Sequence, residues 1–232
     1  MSEQSLQNLS GIELLSDLGP NDLIEIEKLC GFRYYAAKEQ VIDSQSESTD
    51  VYFVISGSVK VANYSISGRI IAFADLSAGS YFGELAALDG QPRSASVLGL
   101  SNGLLAVMPQ ETFVNILMGH PFIALKLMRS LAQIIRTSTA RIMDLSTLAA
   151  NNRVHADMLR LAKKHLEIGN ISAITPIPIH SDIASRVSTS RETVARVLTD
   201  LAKKGIIERQ KKSLLVKDVE RLNNIVEKVR GD

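Results

Sequence analysis

In 232 residues there is one cysteine, no tryptophan, six prolines and only five Tyr and six Phe. A lone Cys30 excludes an internal disulfide and a Cys-ligated iron–sulfur cluster within one chain. The four histidines (His120, His155, His165, His180) are scattered, with no Cys or carboxylate at zinc-site spacing. No apolar run approaches the ~18 residues a membrane helix needs, and the densest stretches, 70–74 and 104–108, are strand-sized. The opening MSEQSLQNLS has neither a basic nor an apolar signal region. No charge sign dominates either: 26 Lys and Arg face 25 Asp and Glu, a net of +1, with 45% apolar residues. That balance excludes a disordered acidic chain and a basic tail. The expectation is a soluble cytoplasmic protein with no membrane partner, long enough for two domains.

Two textures follow. From about 32 to 109, short β-rich runs alternate with Gly, Ser, Asp and Asn: 51–55 (VYFVI), 59–62 (VKVA), 70–76 (IIAFADL), 94–98 and 104–108. Their spacing predicts an antiparallel sandwich or barrel, with Gly57 and Gly68 as hairpin-turn glycines, after a short helix over 20–29. Beyond Pro109 the period becomes helical, and from Pro121 no Gly or Pro intervenes until Gly169. Ala124, Leu127, Leu131, Ile134, Ser138, Arg141, Leu145 and Leu148 recur at alternating steps of three and four. That is the seam of a two-stranded coiled coil, hence a homodimer; the alternative is an amphipathic helix packed on its own domain. Asn151 and Asn152 interrupt the seam before a second helix over 153–167, a loop over 169–178, then helix, tight turn, helix, two short strands and a last helix. Residues 1–150 hold 10 Lys and Arg against 15 Asp and Glu; residues 151–232 hold 16 against 10. The near-neutral total hides a net of −5 in one part and +6 in the other, and the positive part suits a nucleic-acid phosphate surface.

One stretch carries ligand chemistry: Phe82-Gly83-Glu84-Leu85-Ala86-Ala87-Leu88-Asp89-Gly90-Gln91-Pro92-Arg93-Ser94-Ala95. Gly83 allows close backbone approach. The turn from Glu84 offers free N–H groups to an anion, Arg93 a planar fork of donors, and Ser94 a hydroxyl. Glu84 beside a phosphate makes sense only if it points elsewhere, for instance at ribose hydroxyls. The competing reading is a capped turn with a surface Glu–Arg ion pair.

A second stretch suits a base edge. A helix over 181–187 buries Ile183, Ala184 and Val187. Ser188 and Thr189 turn the chain, and Ser190 caps a helix that buries Val194, Val197, Leu198 and Leu201. Arg191, Glu192 and Arg196 fall on its other face, where Arg can bond guanine and Glu a cytosine amine. The competing reading is a solvated face with a Glu192–Arg196 pair. Strands over 206–208 and 214–216, joined through Gln210-Lys211-Lys212, read as a wing whose lysines neutralise phosphates. No nucleophile–base pair is evident, so the chain is not read as an enzyme.

The FGELAALDGQPRSA string resembles the phosphate-binding cassette of cyclic-nucleotide-binding domains. With the SRETVARVL helix that follows, the chain resembles the cyclic-AMP receptor protein (catabolite activator) and FNR superfamily over nearly its whole length. The resemblance implies an α+β fold. An N-terminal antiparallel β-roll (a double-stranded β-helix) is joined by a long dimerisation helix to a C-terminal winged helix-turn-helix. The expected domains are 1–120, 121–150 and 151–232. Gly83 and Glu84 would contact the cyclic phosphate edge and ribose. Arg93 and Ser94 would bind the phosphate, with Leu85 and Ala86 as backbone lining. Ser138 and Thr139 take the place of the hydroxyl pair that reads the base, in Ser–Thr rather than Thr–Ser order. Arg191, Glu192 and Arg196 would read DNA bases; Ser190, Thr193 and Ser181 would contact phosphate. The implied ligand is cyclic AMP, with cyclic GMP as the alternative, and the implied partners are a palindromic double-stranded DNA site, a second copy and RNA polymerase. The glycine common near the start of the β-roll is replaced by Asp43-Ser44-Gln45-Ser46, and the turn glycine by Ser188-Thr189.

Overall fold

The structure, a computed structural model, describes residues 8–65, 70–165 and 169–230; Gly68 and the end of the helix expected over 153–167 lie outside them. The chain divides into two compact units, one ending at Gln133 and the other beginning at Ile134.

In the first unit α1 (Pro20–Lys28) precedes β1 (Gly31–Tyr35), β2 (Gln40–Ile42), β3 (Val51–Ser56), β4 (Ser58–Tyr64), β5 (Ile70–Ser77) and β6 (Tyr81–Phe82). Then come α2 (Glu84–Asp89), β7 (Ser96–Gly99), β8 (Gly103–Met108), α3 (Gln110–Gly119) and the long α4 (Pro121–Thr147), whose residues from Ile134 on belong to the second unit. Among the described residues the strands form two four-stranded antiparallel sheets, ordered β1-β8-β3-β6 and β2-β7-β4-β5. Strand β3 shows how both of its faces are used. Val51 and Phe53 point to a core shared with Leu14, Phe113 and Ile123, whereas Tyr52 and Val54 point to one shared with Val59, Phe82 and Val97. The two-residue period thus builds two cores from one apolar run.

Gly57 is not a hairpin glycine. β3 and β4 belong to different sheets, and Gly57, at φ +82°, turns the chain from one to the other. An added Cβ would lie 2.6 Å from both the Asn102 carbonyl and the Tyr35 hydroxyl. Where a glycine is missing from 43–46, Gln45 itself adopts φ +71°.

Two expectations about α4 need correction. The interruption lies at Leu148 and Ala149, because the next helix, α5, already begins at Ala150 (Ala150–Lys164). The physical cause is local: Ser146 Oγ and Thr147 Oγ1 donate to the carbonyls of Ile142 and Met143 at 2.9 and 2.7 Å, the side-chain competition that weakens a helix end. The seam is also not free along its whole length. Leu127 is buried and Leu131 packed in the first unit's own core, and Leu148 is buried in that of the second. Ile134 and Leu145 of the seam stay exposed, and beside them Met128, Ile135 and Ile142, each more than half exposed, form a further apolar stripe. Ser138 lies between Ile135 and Ile142 on that stripe.

In the second unit α5 is followed by β9 (Ser172–Ile174), α6 (His180–Arg186), α7 (Arg191–Lys203), β10 (Ile207–Arg209), β11 (Leu214–Val216) and α8 (Val219–Arg230). Strand β9 arises within the expected loop: Ile174 pairs with Leu214, making a three-stranded sheet β10-β11-β9. Three residues are too few for alternation to reveal. Val154, Met158, Ile183, Val194, Leu201 and Leu222 form the core.

On α5, His155 has a buried Nδ1 without a hydrogen-bond partner. Burial pushes its pKa below the usual 6.5, Lys204 acts in the same direction, and Asp200 opposes. Below about pH 6.5 the unfolded chain therefore takes up a proton that the folded chain resists. The expected outcome is that stability falls as pH drops below that value, and that His155→Leu flattens the slope in urea midpoints measured between pH 7.5 and 5.5. An unchanged slope would contradict the assignment.

Candidate functional site

The cassette is built around a buried arginine. Gly83 ends β6 at φ +88° and caps α2. Gly90, at φ +67°, ends α2 one turn later, and Gln110 of α3 donates to the Ala87 carbonyl at 2.9 Å. The chain then returns to Arg93, which is only 2% exposed. Its Nη1 donates to the Gly83 carbonyl (2.9 Å), Nη2 to the Asp50 carbonyl (2.7 Å) and Nε to Ser48 Oγ (3.0 Å). The guanidinium also lies 5.7 Å from the centre of the Tyr52 ring, and that ring stacks on Phe82 at 5.1 Å. A Cβ on Gly83 would come within 2.7 Å of Arg93 Nη1, so glycine is required for space as well as for its positive φ.

Three of the five guanidinium N–H donors are thus engaged, all with uncharged acceptors. Burial lowers the Arg93 pKa, and nearby Tyr52, Asp50 and Glu84 oppose this. Glu84 is pushed up by burial, partly offset by its own backbone N–H and by the Arg93 charge. No surface Glu84–Arg93 ion pair forms among the described residues. The arrangement leaves a positive charge inside the fold with donors to spare, which suits an anion.

Ser94 is exposed beside the arginine, and its carbonyl accepts from Asn63 Nδ2 at 2.9 Å. Ala86 is buried and Leu85 exposed. Ser138 and Thr139 lie farther along α4, beyond Gln133, and both are exposed. Sequence reasoning missed Ser48, the Asp50 carbonyl and Tyr52; a serine within a polar run and a main-chain oxygen carry no signal of their own. An open groove of about 620 Å³ elsewhere in this unit is lined by Tyr34, Tyr35, Glu39, Ser56 and Asn102. Its polar groups already serve the fold: Glu39 accepts from Ala36 N, Tyr35 donates to the Ser56 carbonyl and Asn102 accepts from Ala37 N.

The second candidate surface starts at α6, whose first turn carries Ser181. Ser188 adopts φ +52° in the turn where glycine was missing. The Ser190 hydroxyl then accepts from Thr193 N at 3.2 Å and caps α7. Val194, Val197 and Leu201 are buried, while Arg191, Glu192 and Arg196 are exposed on the same helix. Arg196 does not pair with Glu192; its Nη2 reaches Thr193 Oγ1 at 3.4 Å. Glu192 is held below the usual carboxylate range by its own backbone N–H and by Ser190. Lys211 and Lys212 are exposed at the tip between β10 and β11.

Residues 32–120 match the cyclic nucleotide-binding domain family, and residues 152–225 match the Crp-like helix-turn-helix domain. A CRP-like cAMP-activated global transcriptional regulator of Mycobacterium tuberculosis is 31% identical over 173 residues, covering 74% of this chain and 77% of its own. This chain belongs to the CRP-like transcription regulators. Among solved CRP-like structures, the Thermus thermophilus catabolite activator protein is 27% identical with a TM-score of 0.54, covering 93% of this chain and 99% of its own. A CooA mutant from Carboxydothermus hydrogenoformans has a TM-score of 0.77 at 22% identity, covering 94% and 95%, and shares the fold. The expected α+β architecture of β-roll, long helix and winged helix-turn-helix is the one observed. Among the described residues no helix is long and apolar enough to cross a membrane.

Replacing Arg93 by Leu would strip three protein acceptors of their donor inside the fold. We expect Arg93→Leu to cost about 2 kcal/mol or more of stability, because buried acceptors left unpaired cost ~1–3 kcal/mol each. Urea unfolding of the two proteins checks this, and an unchanged midpoint would contradict the structural role.

Proposed function

We propose that this CRP-like regulator is a cytoplasmic homodimer that binds cyclic AMP in the α2–Arg93 cassette and, in response, a palindromic DNA site. The observation that carries the reading is Arg93: a buried guanidinium that, among the described residues, pairs only with neutral acceptors and uses three of its five donors. A cyclic phosphate supplies the missing negative charge, and Gly83, Glu84 and Ser94 surround the position it would take, with Leu85 and Ala86 as its backbone lining. Ser138 and Thr139 supply hydroxyls for the base. Residues 1–120 then act as the sensor, 121–150 as the dimerisation helix and 151–232 as the DNA-binding domain. The exposed Met128, Ile135 and Ile142, seven residues apart, support a second copy packed along α4.

On DNA, Arg191, Glu192 and Arg196 read base edges in the major groove. Ser181, Ser190, Thr193, Lys211 and Lys212 hold the phosphates, and the complex engages RNA polymerase. Nucleotide acts by binding one arrangement of the two α7 helices better than another; equal binding would switch nothing.

Calorimetric titration with cyclic AMP and cyclic GMP tests the ligand. Tighter binding of cyclic AMP is expected, tighter cyclic GMP would reassign the base, and no binding by either would sink the ligand assignment. Ser94 is exposed, so Ser94→Ala should leave the fold intact and weaken nucleotide binding about three- to tenfold, the worth of one hydrogen bond. On the DNA side, Arg196→Ala should cost ~1–3 kcal/mol and relax preference at one base pair. A uniform loss across all sequences would make Arg196 a phosphate contact instead.

A further inference from the structure

Asp144 and Asp157 are the two acidic side chains buried among the described residues, at 4% and 2% exposure. Neither belongs to the nucleotide cassette or to the face of α7. Asp144 sits one turn before the end of α4. Its Oδ2 accepts from Arg160 Nη1 of α5 at 2.5 Å, and its Oδ1 from Arg230 Nη2, the last residue of α8, at 2.9 Å. Arg160 also lies 3.6 Å from Asp157 on the same helix. Asp157 Oδ2 in turn accepts from Arg186 Nε at 3.1 Å and forms an ion pair with Arg186 Nη2 at 3.0 Å, and Arg186 is the last residue of α6, two positions before the Ser188 turn.

Acid and base thus alternate in an unbroken chain, Arg230–Asp144–Arg160–Asp157–Arg186, that crosses α8, α4, α5 and α6. Arg153 runs a second tie beside it, donating to the carbonyls of Leu148, Val187 and Ser188 at 2.8, 2.8 and 3.0 Å. A buried carboxylate is tolerated only with its partners in place. Moving the end of α4 relative to α6 would therefore break charged pairs one after another, whereas purely apolar contacts could slide.

We infer that Asp144 and Asp157 are positioning residues that transmit the setting of α4 to the helix-turn-helix. The inference rests on the proposed function for its nucleotide readout, so the test carries a second readout that needs no nucleotide.

In the full chain, Asp144→Asn keeps the shape of the side chain and removes its charge. Two quantities are read: the ratio of DNA dissociation constants without and with saturating cyclic AMP, and the hydrogen exchange of the α6 amides in the free protein. We expect the ratio to collapse toward one, a loss of about tenfold or more where wild-type coupling is of ordinary size, with nucleotide affinity within about twofold of wild type. Exchange across 181–186 should rise although Asp144 does not touch α6. A wild-type ratio already at one would overturn the proposed function alone, and the exchange readout would then decide the inference. Should Asp144→Asn fail to fold, Arg230→Gln, at the partly exposed end of the same chain, should move both readouts in the same direction by a smaller factor. Wild-type exchange in 181–186 together with a wild-type ratio, or a lost nucleotide affinity that accounts for the whole effect, would overturn the inference.

Discussion

A guanidinium taken out of water must find acceptors on each side that it turns to protein, and Arg93 finds them on the main chain. The carbonyls of Gly83 and Asp50 and the hydroxyl of Ser48 satisfy three of its donors. Much of the surrounding geometry follows. Gly83 must lack a Cβ because the space is occupied by Arg93 and the Asp50 carbonyl. The 43–50 loop must fold inward, and it does so with Gln45 at positive φ, Gln45 N donating to the Arg93 carbonyl and Arg93 N to that of Ser46. Tyr52 must present its ring to the cation, which the β3 alternation and the stack on Phe82 arrange. These hydrogen-bond partners are all uncharged, and the nearby charges of Asp50 and Glu84 act on Arg93 without a hydrogen bond to it among the described residues.

The second unit solves a similar problem with the opposite device. Its two buried carboxylates, Asp144 and Asp157, are each met locally by arginines drawn from three helices. What remains on its surface is the positive excess of residues 151–232, and the α7 face projects Arg191, Glu192 and Arg196 from a helix fixed by Val194, Val197 and Leu201. Burial in the first unit thus surrounds a guanidinium with neutral hydrogen-bond acceptors, whereas in the second it ties helices together through charged pairs.

The parts legible in the sequence were those where one residue type has one physical reason to be present. Gly83 as a turn glycine and Ser190 as a helix cap belong there, and α7 begins at the residue after that cap. The α4 seam was not legible, because its apolar residues serve two cores of the chain as well as an exposed stripe, and a heptad count does not distinguish the owners. Gly57 misled for a related reason: a glycine at positive φ marks a turn but not whether the strands on either side share a sheet. The burial of Arg93 was invisible, since its partners are the Gly83 main-chain oxygen and, 43 and 45 residues away in sequence, the Asp50 carbonyl and Ser48. Strand β9 escaped because three residues carry no period.

The central claim is that a cyclic nucleotide occupies the space around the Arg93 fork, and site-resolved hydrogen exchange tests it most directly. With saturating cyclic AMP, the amides of residues 83–87 and 93–96 should exchange more slowly than in the free protein. Unchanged exchange in both segments, under conditions where the nucleotide is in large excess, would contradict the account.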